Sequence, residues 1–233
     1  MATIYSDTAD QTNTIAQIGG TWANIRGDAT TASNSYNNTQ TSAPFAIHAT
    51  QSPRAGGTFF LFRTYFVFVL TGESGTVSSA SFNFYGRNRL DSGDSAKVIA
   101  IQATTLAGSN DDYGNVFTGA SGSTTFGTAM SSTSGTTIST TEGYHDIAIT
   151  GDTSSGGIKV INDAIGSATI VIFVIEWYHD YSNNAPSQSG CSSYTIIAVH
   201  YANYSGTSRD PLLEINYVGA AVADNATFFG ANF

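Results

Sequence analysis

Apolar residues in this chain fall in short runs separated by Ser, Thr, Gly and Asn. Those spacers favour turns and compete with helical hydrogen bonding, so the runs read as strands joined by polar loops. Residues 58–70 (TFFLFRTYFVFVL) form a long run that is apolar on both parities. Residues 77–85 (VSSASFNFY) alternate, with Ala80, Phe82 and Phe84 on one face and Ser81 and Asn83 on the other. Residues 96–103 predict a mostly buried strand, and 145–150 a strand entered from the Thr/Ser-rich loop 121–142. Residues 169–178 (TIVIFVIEWY) are again apolar on both faces. Two more strands are predicted over 194–201 and 212–218; in the second, Leu213, Ile215 and Tyr217 oppose Glu214 and Asn216. Residues 4–5 and 45–48 supply further candidates. The single predicted helix is 157–165 (GIKVINDAI), where Ile158, Ile161 and Ile165 recur at helical spacing.

Many short strands and little helix predict an all-β fold, an antiparallel jelly-roll β-sandwich with long polar loops and at most one short helix. A sandwich of this length is commonly one unit, and no Pro-rich or charge-rich linker divides the chain. The prediction is one domain over 1–218 and a C-terminal extension over 219–233. The polar segment 7–51 is expected to cross between sheets as an ordered loop with short strands. An antiparallel strand with one wet face should alternate, and 58–70 does not. Its second face must be covered by a loop, by the predicted helix or by another subunit.

Composition removes several classes. The 233 residues are 41% hydrophobic, enough for a core, which excludes intrinsic disorder. The one cysteine, Cys191, excludes an intrachain disulfide scaffold. A formal net charge of -9 with no basic cluster excludes binding driven by nucleic-acid phosphates. Arg63 interrupts the longest apolar run and Glu176 closes the next, so neither predicts a membrane span. The opening MATIYSD lacks a basic and then apolar leader, which predicts synthesis and folding in a cytoplasm.

Candidate chemistry is sparse. The sequence contains no nucleophile elbow, zincin, Walker or dinucleotide-binding motif, and His48, His145, His179 and His200 stand far apart, so no enzyme activity is predicted. Asp111, Asp112 and Asn115 form one compact group of hard oxygen ligands, and Asp7 and Asp10 belong to a second; calcium is the one cofactor these suggest. Glu176 ends a core strand and is followed by Trp177, Tyr178, His179, Asp180 and Tyr181. Rings stack on sugar faces while carboxylates take up hydroxyls, so Trp177, Tyr178 and Tyr181 are candidate glycan contacts. Glycoside hydrolysis would need a second carboxylate near Glu176, such as Asp146 or Asp180. Arg63, set among Phe62, Tyr65 and Phe66, reads as structural, paired with a carboxylate or stacked on a ring.

Three blocks carry a family resemblance: Arg63-x-Tyr65-Phe66-x-Phe68, Val77-Ser78-Ser79-Ala80-x-Phe82-x-Phe84, and Ser208-Arg209-Asp210-Pro211-x-Leu213-x-Ile215-x-Tyr217. Together they resemble the jelly-roll domain of bacteriophage virion proteins and of bacterial surface proteins of the DNRLRE type. Phe82 and Phe84 stand where that family usually has aliphatic residues, and 104–145 has no counterpart. The resemblance implies a virion structural protein, a capsid decoration or fibre subunit that self-associates, with a trimer expected, and that docks on other virion proteins. The alternative it leaves open is a carbohydrate-binding module or a receptor-binding protein for host glycan. The extension carries Phe228, Phe229 and Phe233, which would be a liability on a free tail, so they are expected at an interface.

Overall fold

The computed structural model describes residues 1–6, 13–27, 34–36, 45–51, 59–90, 96–103, 114–118, 124–166, 169–186, 195–200 and 206–219. These form strands β1 (Ala2–Tyr5), β2 (Asn13–Gly19), β3 (Asn34–Tyr36), β4 (Phe45–Gln51), β5 (Phe59–Val69), β6 (Val77–Leu90), β7 (Lys97–Gln102), β8 (Thr136–Thr137), β9 (Gly143–Ala148), β10 (Gly151–Asp152), β11 (Thr169–Glu176), β12 (Thr195–Val199) and β13 (Leu212–Tyr217). Helix α1 spans Trp22–Gly27, α2 spans Gly156–Ala164, and a π-helical turn spans Trp177–Tyr181.

The fold is an all-β antiparallel sandwich. One hydrogen-bonded path runs β1-β13-β6-β12-β4-β5-β11-β7-β8, with β9 on the other edge of β6 and β2 on the other edge of β5. The two longest strands change partner along their length. β6 pairs with β13 over Val77–Asn83 and with β12 from Gly86 onward, while β5 pairs with β4 over Phe59–Leu61 and with β11 over Thr64–Val69. Gly86 sits where β6 exchanges partners. A Cβ there would lie 2.2 Å from the Ala198 carbonyl oxygen, so only glycine lets β12 approach.

Parity sorts the side chains into two cores. Ala80, Phe82 and Phe84 of β6 meet Phe66 and Phe68 of β5, Ile170, Ile172 and Val174 of β11, and Leu213 and Ile215 of β13 between the two layers. Helix α2 closes one end of this core with Ile158, Val160, Ile161 and Ala164. A second cluster lies on the opposite face of β5, β11 and β7, where Phe59, Leu61, Tyr65 and Val67 pack with Ile99, Ile101, Val171 and Ile175. Trp22 and Ile25 of α1, together with Val116 and Phe117, cover it. The doubly apolar β5 is therefore roofed by its own chain, and that strand gives no ground for a neighbouring subunit.

The expectation of at most one short helix fails. Besides α2, the structure has α1 inside the segment read as loop, and the π-helical turn where the strand over 169–178 was expected to continue. Both are shorter than two helical turns and take their stability from burial rather than propensity. Strands β2 and β3 also fall within 7–51. Among the described residues, no helix is long and apolar enough to cross a membrane.

Candidate functional site

Among the described residues, the densest group of buried ionisable side chains lies where β11 ends. The strand delivers Glu176 into the interior, where its side chain caps the π-helical turn that follows. The Glu176 carboxylate accepts from the Tyr178 N–H at 2.7 Å and from the His179 N–H, capping the turn. Asp180, also fully buried, receives a fork from Arg63 of β5, with Nε to Oδ2 at 2.7 Å and Nη2 to Oδ1 at 2.9 Å. Arg63 Nη2 also donates to the Arg26 carbonyl at 2.9 Å, and Arg26 Nε donates to the Asp180 carbonyl at 2.7 Å. The guanidinium of Arg63 lies 4.7 Å from the Phe117 ring centroid, and that of Arg26 lies 5.2 Å from Phe126. The lone arginine of the apolar run thus does both things expected of it, and it ties α1 to the π-helical turn.

Burial governs the titration of this corner. It pushes Glu176 up to about 8, against the backbone N–H groups of His179, Tyr178 and Asp180, which pull the other way. Burial likewise lowers His179, against its hydrogen bond to the Asn184 carbonyl at 2.6 Å. The two effects on stability oppose each other. Glu176 contributes most below its unfolded pKa, near 4.5, and that contribution is lost as pH rises towards 8. His179 contributes above its unfolded value of 6.5 and loses that contribution as pH falls below it. Glu176→Gln should therefore flatten the alkaline side of the stability profile, removing a slope of roughly 1 kcal/mol per pH unit between about pH 5 and 8. Denaturant titrations of both proteins across that range check it, with slope rather than height as the readout. Parallel profiles would contradict the assignment.

A second polar corner forms on the outer face of β1, β13, β6 and β9. Tyr85 of β6 and Tyr144 of β9 are register partners, their rings perpendicular at 5.4 Å. The Arg209 guanidinium sits 4.8 Å from the Tyr85 centroid, and His200 meets the same ring edge-on at 5.2 Å. Glu142 draws in two arginines, Arg209 at 3.4 Å and Arg87 at 3.6 Å. Tyr144 Oη donates to the Asp210 carbonyl at 3.1 Å, and burial pushes the Asp210 carboxyl up to about 6. The Tyr144 hydroxyl is also raised, by burial first and then by Asp210, Tyr5 and Tyr85. Burial lowers His200, as does Arg209, with Glu142 opposing. Further along the face, Asn83 donates to Ser81 at 3.1 Å and to Glu214 at 3.4 Å.

The residues singled out from sequence are distributed as follows. Trp177 is half-buried, donates its indole N–H to the Thr133 carbonyl at 2.9 Å and carries the Lys97 ammonium 4.9 Å from its ring. Its ring covers Gly135, whose φ of +73° and lack of a Cβ allow the approach. Tyr178 lies 6.2 Å from Trp177, whereas Tyr181 is stacked on Phe126 at 5.1 Å. Asn115 lies in a short 3₁₀ turn. Asp7, Asp10, Asp111, Asp112, Cys191, Phe228, Phe229 and Phe233 lie outside the described residues. Among the described residues no group of three His, Cys, Asp or Glu side chains is placed to hold a metal ion. Asp146, weighed as a second carboxylate, is on the outer face of β9, in the other layer from Glu176. Sequence reading missed Arg26, Phe117 and Phe126 as partners of the buried cluster, and the grouping of Tyr5, Tyr85, Tyr144, Arg87 and Arg209. No protein-family model matches the chain, and no curated protein matches it significantly.

Proposed function

We propose that this chain is a non-enzymatic structural subunit of a bacteriophage virion, a jelly-roll surface decoration or fibre component that self-associates and docks on the particle. The observation that carries the reading is the state of its sheet edges. Among the described residues, β1 (ATIY) pairs only with β13, and β9 (GYHDIA) pairs only with β6. The first carries no charge and the second only Asp146 and the buried His145. Lone globular proteins guard such edges with lysine, proline or a bulge, because unpaired N–H and C=O groups template further strands. Edges that lack both a further partner among the described residues and those guards, though β1 is only four residues long, suit a protein whose neighbours cover them. The buried carboxylates agree with a non-catalytic role, since Glu176 caps a turn and Asp180 clamps two arginines. The extension 219–233 with its three phenylalanines is the proposed docking arm, and calcium at Asp7, Asp10, Asp111, Asp112 and Asn115 remains part of the proposal.

Light scattering and sedimentation test the self-association. The wild type should associate, with a trimer expected, at about 100 μM, well inside the micromolar range of transient assemblies. Thr3→Lys combined with Ala148→Lys places one charge on each edge at exposed positions. This variant should keep its melting temperature within a few degrees and sediment as a monomer. A wild type that stays monomeric at that concentration would contradict the reading.

A further inference from the structure

We propose that α1 and the turn over 177–184 form an acid-sensitive latch, in which a proton taken up by His179 releases α1 from the face of β5 that it roofs. The inference goes beyond the assembly role and does not depend on it, because every residue it uses belongs to one copy of the chain.

The state of His179 comes first. The residue is 2% exposed. Its Nδ1 lies 2.6 Å from the Asn184 carbonyl oxygen, which can only accept, so the ring proton sits on Nδ1. Nε2 is then a bare lone pair, buried and with no hydrogen-bond partner among the described residues. A proton added there creates a buried donor and a buried charge with nothing to receive either.

The same turn holds α1. Asn184 is fixed to it by its backbone N–H, which donates to the His179 carbonyl at 3.1 Å, and by its side chain, which donates to the Tyr178 carbonyl at 3.1 Å. The preceding residue, Asn183, accepts the Trp22 indole N–H at 3.1 Å. Arg26 donates to the Asp180 carbonyl, and Arg63, itself clamped on Asp180, donates to the Arg26 carbonyl. Trp22 meets the His179 ring edge-on at 6.3 Å and the Phe59 ring at 5.9 Å. Ile25 occupies the space of a Gly19 side chain, 2.6 Å from where a Cβ would stand. A helix of six residues relies on such ties. A movement of His179 that carries Asn183 and Asn184 with it therefore frees Trp22 and uncovers Phe59.

The surrounding charges do not welcome an imidazolium. Its own turn offers Tyr178, edge-on at 5.1 Å, and Asp180, whose carboxylate is forked by Arg63 and lies 3.7 Å from Arg26. Tyr181 is stacked on Phe126, and Lys97 of β7 lies over the Trp177 ring. Glu176 of β11, pushed up to about 8 by burial, is largely neutral at and below neutral pH. Two buried arginines thus share one committed carboxylate, and burial lowers His179 with only the Asn184 bond opposing. The closed form excludes the proton, and the open form takes it up near the ordinary 6.5. Acid therefore opens the latch, and the open fraction should grow about tenfold per pH unit below 6.5 until the closed form is protonated too.

The test is an acid titration of the intact chain from about pH 7.5 to about pH 4.5, a window in which histidine is the side chain of ordinary pKa that titrates. It is followed by binding of an apolar dye, by far-UV circular dichroism and by the NMR signals of the His179 imidazole and the Trp22 indole N–H. Dye fluorescence should rise severalfold below pH 6.5 while the β-sheet signal holds. The Trp22 N–H should lose its protection from exchange, corrected for the intrinsic rate, on the curve along which His179 is protonated. His179→Phe keeps a ring in place and cannot take a proton, so it should bind no more dye at about pH 5 than at about pH 7.5. The coincidence of the wild-type curves is a test in itself if phenylalanine is not accommodated. The proposal is overturned if Trp22 stays protected to about pH 4.5, or if the dye and imidazole curves separate by more than about half a pH unit. It is equally overturned if His179→Phe retains the transition, or if the far-UV signal falls together with dye binding, which would make the event global unfolding.

Discussion

Asp180→Ala is expected to destabilise the protein by about 3–5 kcal/mol, because it strips the carboxylate from a fully buried guanidinium. The asymmetry of buried ion pairs makes the effect large. The assembled pair need not add net stability, but removing one partner strands the other charge in a low-dielectric interior. The damage should spread, because the Arg63 fork and the Arg26 bond hold the C-terminal end of α1 against the π-helical turn. A six-residue helix has no stability of its own to fall back on. The melting temperature should fall by roughly 10 °C, at 2–4 °C per kcal/mol for a chain of this size. Arg63→Met together with Asp180→Leu should cost less than Asp180→Ala alone. Chemical denaturation of the three variants checks the ordering. A cost below about 1 kcal/mol for Asp180→Ala would show that the cluster is not a structural clamp.

Phe82→Ala should be as damaging for a different reason. Phe82 is fully buried at the centre of the sandwich, with Phe66, Phe68 and Phe84 ring centroids at 5.1, 5.8 and 6.0 Å. Truncation removes the ring's transfer free energy and leaves a cavity lined by three other rings and by strands of both layers, which cannot collapse without shifting a sheet. The expected loss is about 3–5 kcal/mol. Val69→Ala, at the exposed end of β5, should stay within about 0.5 kcal/mol. Urea unfolding of the pair measures the contrast, and near-equal losses would mean that Phe82 is not where the two layers are joined.

Parity made most of the sandwich legible. In β6 and β13 the alternation of Ala80, Phe82 and Phe84, and of Leu213 and Ile215, marks the inward face, and these residues are buried in the structure. Helix α2 was legible from three isoleucines and lies one residue earlier than predicted. Helix α1 was not. Its buried side carries only two apolar residues, Trp22 and Ile25, one turn apart and beside the buried Arg26, within a polar stretch that offers no sustained period. The strand over 169–178 stops at Glu176 because its side chain accepts from the Tyr178 and His179 N–H groups, a local competition that hydropathy does not register. Neither candidate corner could be read locally. Arg63 and Asp180 are 117 positions apart. Tyr5, Tyr85, Tyr144 and Arg209 come from three strands and the loop before β13, and only the register aligns them.

Side-chain-resolution imaging of purified phage particles that contain this chain tests the central claim most directly. A virion subunit should appear in many symmetry-related copies, with the β1 or β9 edge covered by a neighbouring copy or another virion protein and residues 219–233 seated on an adjoining surface. Particles whose protein content lacks the chain, or particles in which both edges face solvent, would contradict it.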